Sequence, residues 1–128
     1  MRFAAALLGA SLLFYATAAD ARTWRIRPGP EAEQQLQTAL IEAQPGDTVH
    51  LARGRFELTG GLSLDVNDVT IRGEGHDRSI LSFNTQRRGA EGLLVTSDNV
   101  TLRGFGVENA RGDAIKARDC DHITIREV

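Results

Sequence analysis

Arginine holds the same place in three near-identical stretches of this 128-residue chain: Asn67-Asp68-Val69-Thr70-Ile71-Arg72-Gly73, Asp98-Asn99-Val100-Thr101-Leu102-Arg103-Gly104 and Asp121-His122-Ile123-Thr124-Ile125-Arg126-Glu127. A planar guanidinium matches a carboxylate with two parallel hydrogen bonds, so arginines at one repeated position are candidates for gripping regularly spaced acidic groups. Alternation sends Val69 and Ile71 to one face of a strand and Thr70 and Arg72 to the other. Arg72, Arg103 and Arg126 are therefore expected to stack in a column on the outer face, about 5 Å apart across the strands. The competing reading is a solvated face with Glu74, Glu108 and Glu127 as charge partners. Like charges at that spacing in water repel by only about 1 kcal/mol per pair, so the column is tolerated with or without a ligand.

The other polar groups point elsewhere. Asp113, Lys116, Asp119 and Asp121 form the densest cluster, and a calcium site would want several oxygens converging from neighbouring repeats. Gly92 and Ser97, the equivalents one repeat earlier, supply little, so turn chemistry is the better account. Asn67, Asp98 and Asp121 recur at one turn position, where side-chain-to-backbone bonds would form a ladder, and Thr70, Thr101 and Thr124 read as a β-branched column. His50, His76 and His122 lack a tight metal spacing, so no metal or other cofactor is expected from the residues. Cys120 is the lone cysteine and reads as a turn residue. Asn99-Val100-Thr101 fits a glycosylation acceptor but lies inside the repeat. The residues assign no catalytic role.

Elements with a regular offset must position the column. Strands are predicted before each copy at Gly61–Leu64, Gly92–Val95 and Asp113–Lys116, and after the first two at Ile80–Phe83 and Phe105–Glu108. Three short strands per repeat cannot bury their apolar faces alone, but stacked repeats form a continuous parallel-sheet core with Phe56, Phe83 and Phe105 inside. Val69 to Val100 is 31 residues and Val100 to Ile123 is 23, which places an insertion of about eight residues at Arg87–Glu91. Pro30 to Ala43 carries Leu36, Ala39, Leu40 and Ala43 at helical spacing and stops at Gln44-Pro45-Gly46-Asp47. A helix there would cap the stack, as repeat architectures require for solubility. Trp24, near the start of the mature chain, would cover the stack or move freely.

The N-terminus carries an export signature. Met1-Arg2 precedes an apolar run to Ala19, and Ala19-Asp20-Ala21 offers a small-x-small cleavage site, with Ala16-Thr17-Ala18 as an alternative. The domain reading is therefore a signal peptide at 1–21, an N-terminal segment with the capping helix at 22–47, and coils at 48–128. Localisation is expected to be periplasmic or secreted, with no membrane association after cleavage. A net charge of −2 gives no field that would favour nucleic acid.

Gln37-Thr38-Ala39-Leu40-Ile41-Glu42-Ala43-Gln44-Pro45-Gly46-Asp47-Thr48-Val49, the Val-Thr-Ile-Arg-Gly repeats and Gly112-Asp113-Ala114-Ile115-Lys116 together resemble the opening of a right-handed parallel β-helix protein of the pectate-lyase-like superfamily. The resemblance runs from Pro30 to Val128. It implies an all-β solenoid of about three coils with an N-terminal capping helix. It also implies a carbohydrate-active role, binding or processing an acidic polysaccharide. If enzymatic, the activity would be that of a lyase, an epimerase or a glycoside hydrolase; the alternative is a non-catalytic binding, adhesin-like or structural module. Calcium enters only through this resemblance. The Asn-Thr-Asp, Gly-His-Gly and Arg-Ile-Lys set of polygalacturonases and the Asp-Pro-His-Asp of alginate epimerases are missing, so no catalytic residue carries over. The third copy runs to Val128 without a cap. Further C-terminal coils are expected to cover that end, making this chain a truncated product or fragment that is inactive alone.

Overall fold

The computed structural model describes residues 20–128, so most of the expected signal peptide lies outside the described residues. Eleven strands and one helix follow in chain order: β1 Thr23–Ile26, α1 Ala32–Glu42, β2 Thr48–Leu51, β3 Gly54–Glu57, β4 Gly60–Leu64, β5 Thr70–Arg72, β6 Ser79–Ser82, β7 Arg88–Val95, β8 Val100–Arg103, β9 Gly106–Glu108, β10 Ile115–Ala117 and β11 Ile123–Arg126. They form three sheets, ordered β1-β2-β5-β8-β11, β3-β6-β9 and β4-β7-β10. Every strand pairing is parallel. From β2 onward the chain visits the sheets in strict rotation, making three stacked circuits with β1 before and β11 after them. This is consistent with an all-β parallel solenoid, and each expected strand lies within a few residues of an observed one.

Alternation builds the core between the sheets. Val49, Ile71 and Leu102 lie in register in the first sheet, Phe56 and Leu81 in the second, and Leu62 and Leu93 in the third; all are buried. A fully buried side chain of this size contributes about 1.5–3 kcal/mol relative to leaving it in water. Phe56, Phe83 and Phe105 are buried as expected. Helix α1 buries Ala32, Leu36, Ala39 and Leu40 along one stripe and packs on β1, β3 and β4, the first strand of each sheet. It therefore lies across one end of the stack.

Turn chemistry keeps successive circuits in step. Asn67 Oδ1 accepts the Asp98 N–H at 2.9 Å, and Asp98 Oδ1 accepts the Asp121 N–H at 2.8 Å, which is the ladder the recurrence implies. The next residue in each copy, Asp68, Asn99 and His122, has φ near +60°, a conformation that short polar side chains and His tolerate better than most. Gly73 has a different reason to be glycine: a Cβ there would come within 2.5 Å of the Gly104 carbonyl oxygen and 2.7 Å of Ser79 Cβ.

Two features depart from the sequence reading. Strand β1 lies ahead of the segment assigned to the coils, and Trp24 is part of it, half-buried and packed on the core. The insertion is divided between two connections rather than confined to Arg87–Glu91. Ile71 to Leu81 is ten residues, where the register-equivalent steps Val49–Phe56 and Leu102–Val107 are seven and five. Leu81 to Leu93 is twelve, where Phe56–Leu62 and Val107–Ile115 are six and eight. Part of the second excess is absorbed as a bulge, because the register between β4 and β7 shifts from Gly60–Arg88 to Leu62–Leu93. Arg88 to Glu91 is thus strand, not loop.

Candidate functional site

The register of the five-stranded sheet places two columns on its outer face. Thr23, Thr48, Thr70, Thr101 and Thr124 form one, and Arg25, His50, Arg72, Arg103 and Arg126 form the other. The three arginines singled out by the repeat are thus brought into line, and two further basic residues extend the line toward β1. Sequence reasoning missed Arg25 and His50, although Thr23-Trp24-Arg25 and Thr48-Val49-His50 repeat the Thr-x-basic spacing of Thr70-Ile71-Arg72.

Of the glutamates named as partners, only Glu74 meets the column, at His50, and among the described residues none pairs with its arginines. Among the described residues, ion pairs within 4.0 Å are His50–Glu74, Arg55–Glu108 and Lys116–Glu91. Glu108 reaches Arg55 at 2.8 Å on a different sheet, and Glu74 sits 3.4 Å from His50 Nε2. Glu127 shares a cleft of about 320 Å³ with Glu74, His76 and Arg103 but pairs with no cation among the described residues. Arg25, Arg103 and Arg126 are exposed and Arg72 is half-buried, and among the described residues none of the four has a carboxylate within 4.0 Å, on a protein whose net charge is −2.

His50 is the one imidazole in the line, and its geometry assigns its two nitrogens. Arg72 Nε lies 3.2 Å from His50 Nδ1 and can only donate, so Nδ1 is the acceptor. In the neutral ring Nε2 then carries the hydrogen, which it directs at Glu74 Oε2. The chain Arg72 to His50 to Glu74 thus links β5, β2 and the connection after β5.

The upper end of the column is anchored by Asp47, whose side chain is buried. Its Oδ1 accepts the Arg22 N–H at 2.8 Å, and its Oδ2 accepts the Trp24 indole N–H at 3.1 Å and the Gln44 N–H at 2.9 Å. Burial alone would raise the pKa of this carboxyl, but these hydrogen bonds and the Arg22 charge outweigh it and hold it below the ordinary value. Arg22 also lies over the Trp24 ring, 3.7 Å from its centroid. A groove of about 540 Å³ runs between β1 and α1, and Arg25 lines it.

The second polar cluster disperses. Lys116 Nζ lies 3.5 Å from Glu91 Oε1, Asp121 serves the turn ladder, and Asp113 and Asp119 are exposed. The Glu91 carboxyl is held below its usual range by its own backbone N–H and then by Lys116. Among the described residues no three His, Cys, Asp or Glu converge as a metal site would require. Asn99 Nδ2 donates to Asp68 Oδ1 at 3.1 Å, giving that asparagine a place in the turn.

Fold and face together define a chain of three parallel sheets and one helix, with an in-register basic column on its five-stranded sheet. No family model, curated protein or solved structure matches it.

Proposed function

We propose that this chain is an exported right-handed parallel β-helix protein that binds an acidic polysaccharide along the outer face of its five-stranded sheet. The strict rotation among three parallel sheets supports the helix, and right-handed crossovers are the strong default for parallel strands. The apolar N-terminal run supports export. The observation that carries the binding reading is the line of in-register guanidinium groups with no carboxylate within 4.0 Å among the described residues.

Strand spacing sets the recognition. Successive strands lie about 4.8 Å apart, comparable with the length of one sugar residue, so a linear polyuronate laid across the strands can present one carboxylate per rung. The guanidinium forks donate to those carboxylates, and the adjacent threonine hydroxyls lie beside them to bond the sugar hydroxyls. The column accounts for binding and is equally suited to the substrate face of an enzyme or to a non-catalytic module. Titration calorimetry with polygalacturonate and with a neutral glucan tests the reading. Polygalacturonate is expected to bind and to weaken as salt is raised. Equal binding of the neutral glucan, or no binding of polygalacturonate at low salt, would overturn it.

A further inference from the structure

We infer that His50 makes the basic column pH-responsive, so that its grip on a polyanion tightens when the imidazole is protonated. This inference rests on the polysaccharide-binding reading and adds its regulation. The register makes His50 the only member of the line whose side chain has a neutral as well as a cationic form, with Arg25 on one side and Arg72 on the other.

In the neutral state His50 interrupts the column in two ways. It contributes no charge at its own rung, and its Nδ1 holds the Arg72 Nε–H at 3.2 Å, turning that edge of the guanidinium inward. Protonation places a hydrogen on Nδ1, which can then no longer accept from Arg72. The new cation also faces like charges, Arg25 from β1 and Arg72 from β5, while Glu74, 3.4 Å from Nε2, favours it. Arg53 follows on the same chain beyond β2 and is exposed. Arg72 is therefore released toward solvent, and five cations stand in register in place of four. A bound carboxylate favours the protonated ring, and by linkage protonation favours the carboxylate equally. Glu74 moderates the gain without cancelling it, because it touches the Nε2 edge and leaves Nδ1 and Arg72 to the ligand.

Two measurements on the protein test this. Polygalacturonate affinity at constant ionic strength is expected to rise about fivefold from pH 8 to pH 5, the effect of about one added charge at close range. H50Q is expected to show a flat profile over the same range. In the free protein, the Arg72 Nε–H resonance is expected to move with the His50 titration, reporting the broken bond without any ligand. Binding that is equally tight at both pH values, or an H50Q profile that rises like the wild type, would overturn the inference and leave the binding reading standing. Absence of polygalacturonate binding at either pH would overturn both, whatever the Arg72 resonance does.

Discussion

Replacing Arg72, Arg103 and Arg126 together by glutamine is expected to weaken polygalacturonate binding about 5- to 150-fold, because each exposed charge pair with a ligand carboxylate is worth roughly 0.3–1 kcal/mol. The same triple variant is expected to fold with an unchanged or slightly raised Tm. Among the described residues these guanidinium groups pair with no carboxylate, so their removal breaks no ion pair there and relieves repulsion along the line. The one bond lost is Arg72 Nε to His50, at the surface. Calorimetric titration beside a thermal melt separates the outcomes. A triple variant that melts much earlier would make the column structural, whereas unchanged affinity would place the ligand elsewhere.

The second large effect is expected at Asp47. D47N should lower stability by about 2–3 kcal/mol, since a buried donor left unpaired costs about 1–3 kcal/mol and bonds to a charged acceptor are the stronger kind. Asparagine cannot replace the carboxylate in either orientation: its amide nitrogen meets the Arg22 N–H on one side, or the Trp24 and Gln44 N–H groups on the other. For a domain of this size the melt should fall by about 10 °C. The wild type carries a pH signature from the same group. Its folded pKa lies below the ordinary value of 3.8, so its contribution is fully present above that value and is lost as pH falls through the lower folded one. D47N should be less stable than the wild type at neutral pH and lack this acid-dependent component, as melts from pH 7 down to pH 2 would show. Because Asp47 holds β1 through Arg22 and Trp24, the variant should also loosen Arg25 at the end of the column.

Much of this architecture was legible because it repeats. The Val-Thr-Ile-Arg alternation at near-constant offset determines which side chains face inward, and stacking then aligns Arg72, Arg103 and Arg126 without any further information. The turn ladder through Asn67, Asp98 and Asp121 follows in the same way, since identical turns stack their acceptors under the next rung's N–H groups. Strand β1 was hidden because the helix separates it from the first circuit, which removes the constant offset that exposes the others. His50 was weighed as a metal ligand and set aside. Its role depends on Arg72, 22 residues away, which only the register brings beside it. The glutamate partners failed for a related reason: Glu108 lies close in sequence to Arg103, but the chain has already turned onto another sheet, where Arg55 takes it. Gap lengths likewise give the total size of the insertion, while its division between two connections depends on which residues the neighbouring strands pair.

The most direct test of the account is where a polyuronate touches the protein. Arginine Nε–H and histidine resonances should be followed by NMR while an oligogalacturonate is titrated at low salt. Shifts are expected at Arg25, His50, Arg72, Arg103 and Arg126, with Arg55, engaged by Glu108 on another sheet, left in place. Shifts centred on Arg55, or none along the column at saturating ligand, would contradict it.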